Sequence, residues 1–141
     1  MATLIETLSS QHDEIETLVK RIGRSLADGD AARIKDDLNA FKVALLVHLE
    51  LEDRRLYPGL VSASESMSFD VQIQIVRTYQ SNMESISTAL RSFFEQHGGD
   101  TIDVEGFRRD WRMVAQLLAH RIESEEFTLY PLYSSLVKGA E

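Results

Sequence analysis

No cysteine occurs among the 141 residues. That excludes disulfides, zinc–thiolate sites, iron–sulfur clusters and thiol catalysis, and it fits a reducing compartment. Proline is nearly absent, with only Pro58 and Pro131, so little interrupts long helices. Positive charge is scarce: 15 Lys and Arg stand against 23 Asp and Glu, a net charge of −8. Such an acidic surface repels polyanions, so neither nucleic acid nor an anionic membrane is an expected partner. No run approaches the ~18 apolar residues that cross a bilayer. Met1–Leu8 lacks a basic stretch followed by an apolar one, so no signal peptide is expected and the expected location is the cytoplasm. A glycine-rich phosphate loop, a nucleophile motif and H-E-x-x-H are all missing, which leaves a hydrolase or transferase without support.

Apolar residues at helical spacing fill the chain instead. The length suits one domain, residues 1–141, large enough to bury about two-thirds of its unfolded surface. The spacing predicts four helices. The first runs over about Thr3–Ala27, with Leu4, Leu8, Ile15, Leu18, Val19 and Ile22 inward. Asp28-Gly29-Asp30 ends it and caps the next. The second runs over about Ala31–Tyr57, and Pro58-Gly59 marks its close or a kink. Ser62–Ser68 reads as a polar connection. The third runs over about Phe69–Gln96, before the stop His97-Gly98-Gly99-Asp100. The fourth starts near Asp103 and reaches Val137. Four helices of similar length with short links imply an all-α, up-down-up-down antiparallel bundle.

The second and fourth helices end alike. Leu56-Tyr57-Pro58 matches Leu129-Tyr130-Pro131, and Glu52 and Glu125 each stand six residues before the proline. A nearly equal shift lays His12-x-x-Ile15 over Met83-x-x-Ile86. The chain thus reads as two helical hairpins related by an approximate repeat.

His48 and Glu52 are four residues apart and share a helix face. His12 and Glu125 also fall inside apolar stripes. Imidazoles and carboxylates are costly to bury unless paired or ligated. Two of each meeting at a bundle centre suit a divalent transition metal such as iron, zinc or manganese. Glu50, Glu123 and Glu126 read as solvated. Tyr57 and Tyr130 read as helix-end packing residues, and His97 as a helix C-terminal cap.

The order of these motifs resembles the hemerythrin family, including its bacterial HHE cation-binding members, over nearly the whole chain. That resemblance implies a hemerythrin-like bundle holding one or two non-heme iron ions, with dioxygen or another small molecule as ligand. Residue by residue it implies metal ligation by His12, His48 and Glu52, and by His120 and Glu125 as the five-residue form of the last motif. Where the family has His-x-x-x-His in the third helix, this chain has Tyr79-x-x-x-Met83. Tyr79 is therefore an additional candidate ligand, since tyrosinate binds ferric iron. The internal repeat lays Arg121, not His120, over His48. On a regular helix His120 and Glu125 point some 140° apart, because five residues turn about 500°, so joint ligation needs a π-bulge or a bend.

Two functions stay open. One is a metal-binding hemerythrin-like protein that senses oxygen or redox state or handles iron; reversible dioxygen carriage is not expected, because the side fed by three histidines in the family is depleted. It is not expected to be an enzyme, beyond weak metal-dependent redox activity. The other is a degenerate, metal-free bundle in which Arg121 sits between Glu52 and Glu125, serving as a protein-interaction or homodimerisation module.

Overall fold

The structure, a computed structural model, describes residues 1–68 and 70–137. Helix α1 spans Leu4–Asp28, α2 Ala31–Leu51, α3 Tyr57–Ser66, α4 Asp70–His97, α5 Val104–Ser124 and α6 Tyr130–Leu136. A π-helical turn, Glu52–Leu56, joins α2 to α3 without a break. A second, Glu125–Leu129, joins α5 to α6. The result is four rods in an up-down-up-down helical bundle, with no strand among the described residues.

Local chemistry sets the ends. Thr3 caps α1 by accepting from the Glu6 amide at 3.1 Å. Gly29 closes the helix at φ 64°, a left-handed conformation that glycine adopts without penalty. Its N–H donates to Leu26 and that of Asp30 to Ser25, so the chain reverses within two residues. Asp30 then caps α2 through the Arg33 amide. Beneath this turn the buried Asp37 of α2 accepts from Ser25 at 2.7 Å and from Arg21 at 3.0 Å, clamping α1 to α2.

Of the two expectations at Pro58-Gly59, a close or a kink, the close does not occur. The rod passes through Pro58, and α3 takes in Ser62–Ser66, the first part of the expected connection. The π-turn explains this. A proline inside a helix lacks an N–H and collides with the carbonyl four residues back. Here the register has already shifted: the Tyr57 N–H donates to the Glu52 carbonyl, five residues back. Tyr130 does the same to Glu125 ahead of Pro131. Each proline then enters at the first turn of the following segment, where it is tolerated. Phe69, the expected start of the third helix, lies outside the described residues.

Two apolar clusters fill the interior. One, towards the end where α4 meets α5, is aromatic: Phe41, Phe93, Phe94, Phe107 and Trp111 pack with Leu and Ile of α1 and α2. The other, towards the prolines, holds Leu4, Leu8, Leu56, Leu60, Leu129 and three tyrosines. Full burial of such side chains is worth about 1.5–3 kcal/mol each. Between the two clusters lie the buried polar residues His12, His48, Glu52, Arg121 and Glu125.

Candidate metal centre

His12 comes from the middle of α1 and His48 from the last turn of α2. Glu52 and Glu125 open the two π-turns. All four are buried, and one ligand atom from each lies within 4.8 Å of the others. The imidazoles are 4.5 Å apart, centre to centre.

Their outward nitrogens are fixed. His12 Nδ1 lies 2.7 Å from Glu126 Oε2, and Glu126 is itself held by the Ser9 hydroxyl at 2.9 Å. His48 Nδ1 lies 2.9 Å from Gln11 Oε1. A carboxylate and an amide oxygen can only accept, so each Nδ1 donates outward and each Nε2 faces the centre, that of His12 2.9 Å from Glu125 Oε1; a metal would take the place of any proton on these inward nitrogens. Among the described residues His48 Nε2 makes no hydrogen bond, although Glu52 Oε2 is 3.4 Å away and Glu125 Oε1 3.7 Å. Glu52 Oε1 has no partner among them either. An unsatisfied buried donor or acceptor costs about 1–3 kcal/mol, so two in one cluster point to a group that binds there. The space between them is a cavity of about 10 Å³, about the room one water-sized body needs. Ile15, Leu45, Leu118 and Met83 help to close it.

The electrostatics are uneven. Burial would lower the His48 pKa, but the Glu125 and Glu52 carboxylates outweigh it and push it up to about 9. Burial holds Glu52 above the usual carboxylate range, against the pull of His48. Burial would raise Glu125 too, but His12, His48 and Arg121 hold it well below that range. Tyr57 and Tyr130 are pushed up by burial and by Glu52, so both phenols keep their protons. Tyr130 Oη donates to Glu52 Oε2 at 2.8 Å, 3.1 Å from His12 Nε2.

His120 does not join the group. It lies on the exposed side of α5. The extra residue that could have swung it towards Glu125 is inserted after Glu125, so residues 120–125 keep the regular helical turn. Arg121 faces the centre in its place, with Nε 3.1 Å from Glu125 Oε2. Tyr79 is likewise held apart. Its hydroxyl is 2.6 Å from Ser124 Oγ, and its ring lies under the Arg121 guanidinium at 4.7 Å. His97 is more than a helix cap: it is buried and bonded to Asp110 at 2.7 Å.

Four functional neighbours escape a reading by helical spacing: Gln11, Glu126, Tyr57 and Tyr130. Gln11 and Glu126 each stand next to a candidate ligand in sequence, His12 and Glu125, a position that reads as the exposed side. They serve because they reach sideways to a neighbouring helix. Each tyrosine stands five residues after a glutamate, a spacing that faces away on an α-helix but swings back once the π-turn adds a residue. The repeated Glu-x-x-x-x-Tyr-Pro was the visible signal.

Comparison with curated proteins and with solved structures gives no match. The hemerythrin HHE cation-binding domain profile matches residues 3–133, nearly the whole length. With a helical bundle and a buried His and Glu cluster at its centre, the chain belongs to the hemerythrin HHE cation-binding domain family.

Proposed function

We propose that this protein binds non-heme iron through His12, His48, Glu52 and Glu125, and that it handles iron or senses oxygen or redox state. The observation that carries the reading is the pair of inward, unpartnered atoms, His48 Nε2 and Glu52 Oε1, in a cavity of atomic size. Two imidazole nitrogens and two carboxylates fit a divalent first-row ion, and the family's habit selects iron among these. Iron held there would supply one-electron redox chemistry.

The chain's own residues do the rest. Glu126 and Gln11 orient the two imidazoles. Tyr130 steadies Glu52. The apolar wall limits the cavity to about one atom-sized body and strengthens the interactions of each charge inside it. Leu45 and Leu49 belong both to that wall and to an outer groove of about 770 Å³ between α2 and α4. A small molecule reaching the centre from that groove passes these two side chains.

Protein grown with iron should carry it at stoichiometric level, and the double variant His48→Ala, Glu52→Ala should carry none by elemental analysis. Equal iron in both would remove the proposed centre. The metal-free module is the second reading, favoured by the buried Arg121–Glu125 pair. It gains if wild-type protein stays empty after anaerobic reconstitution with ferrous iron.

A further inference from the structure

The repeat sets two triplets against each other inside the centre. His48, Glu52 and Tyr57 correspond, 73 residues on, to Arg121, Glu125 and Tyr130. All six are buried. In the first triplet an imidazole with a free Nε2 faces inward. In the second a guanidinium does. Arg121 is held through two of its nitrogens: Nε donates to Glu125 Oε2 at 3.1 Å, and Nη2 to Tyr57 Oη at 2.6 Å and to the Tyr79 carbonyl at 3.2 Å. Glu125 is thereby divided. Its Oε1 faces His12 and His48, while its Oε2 is committed to the arginine.

We propose that Arg121 is a built-in cation standing at the second cation position of this repeat-related centre, so that the site takes one divalent transition ion and excludes a second. The inference rests on the metal-binding reading above. Three observations carry it. The guanidinium contacts the carboxylate oxygen that a second ion would need. The cavity beside His12 and His48 has room for one atom-sized body only. Met83 and Tyr79, which the repeat and the third helix offer to the second half, supply no nitrogen ligand. A histidine could shed its proton near neutral pH to admit a metal; arginine stays charged. A second dication beside it would meet a fixed like charge in a dry interior, where screening is weak.

Arg121 and Glu125 have the same four-residue spacing as His48 and Glu52, so Arg121→His would reproduce that ligand pair in the second half. Arg121→Lys keeps a cation. The full chain is titrated anaerobically with ferrous or cobaltous ion, and bound equivalents are counted after desalting. One equivalent is expected in wild type, two in Arg121→His and one in Arg121→Lys. Two equivalents in wild type would overturn the inference while leaving metal binding intact. One equivalent in an Arg121→His protein that melts cooperatively would also overturn it. No metal in wild type would instead overturn the metal-binding reading itself. Should the histidine variant fail to fold, Arg121→Gln carries the same test. It removes the charge and keeps a hydrogen-bonding head. A second, weaker equivalent supports exclusion by charge, and a single one refutes it.

Discussion

At Glu52 and at Glu125 the chain makes the same π-turn, with the same Leu-Tyr-Pro after it, yet the two glutamates live in different fields. Glu125 faces His12, His48 and Arg121, and its charge is strongly favoured. Glu52 meets a neutral phenol and one imidazole, leaves an oxygen unpartnered, and is held above the usual carboxylate range by burial. The backbone repeat supplies the geometry twice. One side chain four residues earlier, arginine or histidine, decides what each copy does with it. The Arg121 half is electrostatically complete, and the His48 half is not.

The largest effect should come from breaking the complete half. Glu125→Gln keeps the shape and removes the charge, stranding a buried guanidinium. Breaking a buried pair in this way costs about 3–5 kcal/mol. Glu52→Gln keeps an acceptor for Tyr130 and removes a charge that burial already opposes, so its cost should be about 1 kcal/mol, the scale of one altered hydrogen bond. Guanidinium unfolding of the metal-free proteins measures both. Equal losses would mean that the two halves are not distinct. Both variants should still lose metal, since each lacks one of four ligands, so stability and metal content separate here.

The pH dependence sharpens the same contrast. Arginine does not titrate in the accessible range, so the Arg121 half is silent above neutrality. His48 is not. Its pKa rises from 6.5 in the unfolded chain to about 9 in the folded one. A raised folded value stabilises fully below the unfolded value and loses that contribution as pH climbs through the folded one. The melting temperature of metal-free protein should therefore fall between about pH 6.5 and about pH 9, and His48→Gln should flatten that fall. Metal loading should reverse the trend. An ion needs the neutral imidazole, so affinity should grow over the same range as the proton is expelled. A metal-free melting curve that is flat in wild type would show that the carboxylates do not hold a charged His48.

Much of this contrast could be read from residues alone. The four rods, the inward stripes and the positions of His12, His48, Glu52 and Glu125 follow from a 3.6-residue period, and the repeat exposed Arg121 as the counterpart of His48. What the period could not supply was the place of the π-turns. An extra residue before Glu125 would have turned His120 inward; placed after Glu125, it leaves His120 outside and turns Tyr130 inward. Sequence spacing is blind to that choice, which depends on how Pro58 and Pro131 are accommodated. Gln11 and Glu126 were hidden for another reason. They are contacts between helices, and a single helix pattern marks them only as polar.

The smallest effect lies outside the centre, at the aromatic end of the bundle, where it should have the opposite sign. Asp110 is held below its ordinary pKa, chiefly by its hydrogen bond with His97. A depressed folded value stabilises above the unfolded one, 3.8, and is lost as pH falls through the folded one. The aromatic end should thus weaken on the acid side, where the centre's His48 contribution is at its fullest. Asp110→Asn should lower the melting temperature slightly at neutral pH, and the gap to wild type should close as pH drops below 3.8. Because Asp110 is partly open to solvent, water screens the pair and the gap should stay small. Metal loading should leave it unchanged, since His97 and the centre belong to different ends of the packing. A gap that widens in acid would mean that the His97–Asp110 bond does not hold Asp110 ionised; one that vanished on metal loading would tie the aromatic end to the centre.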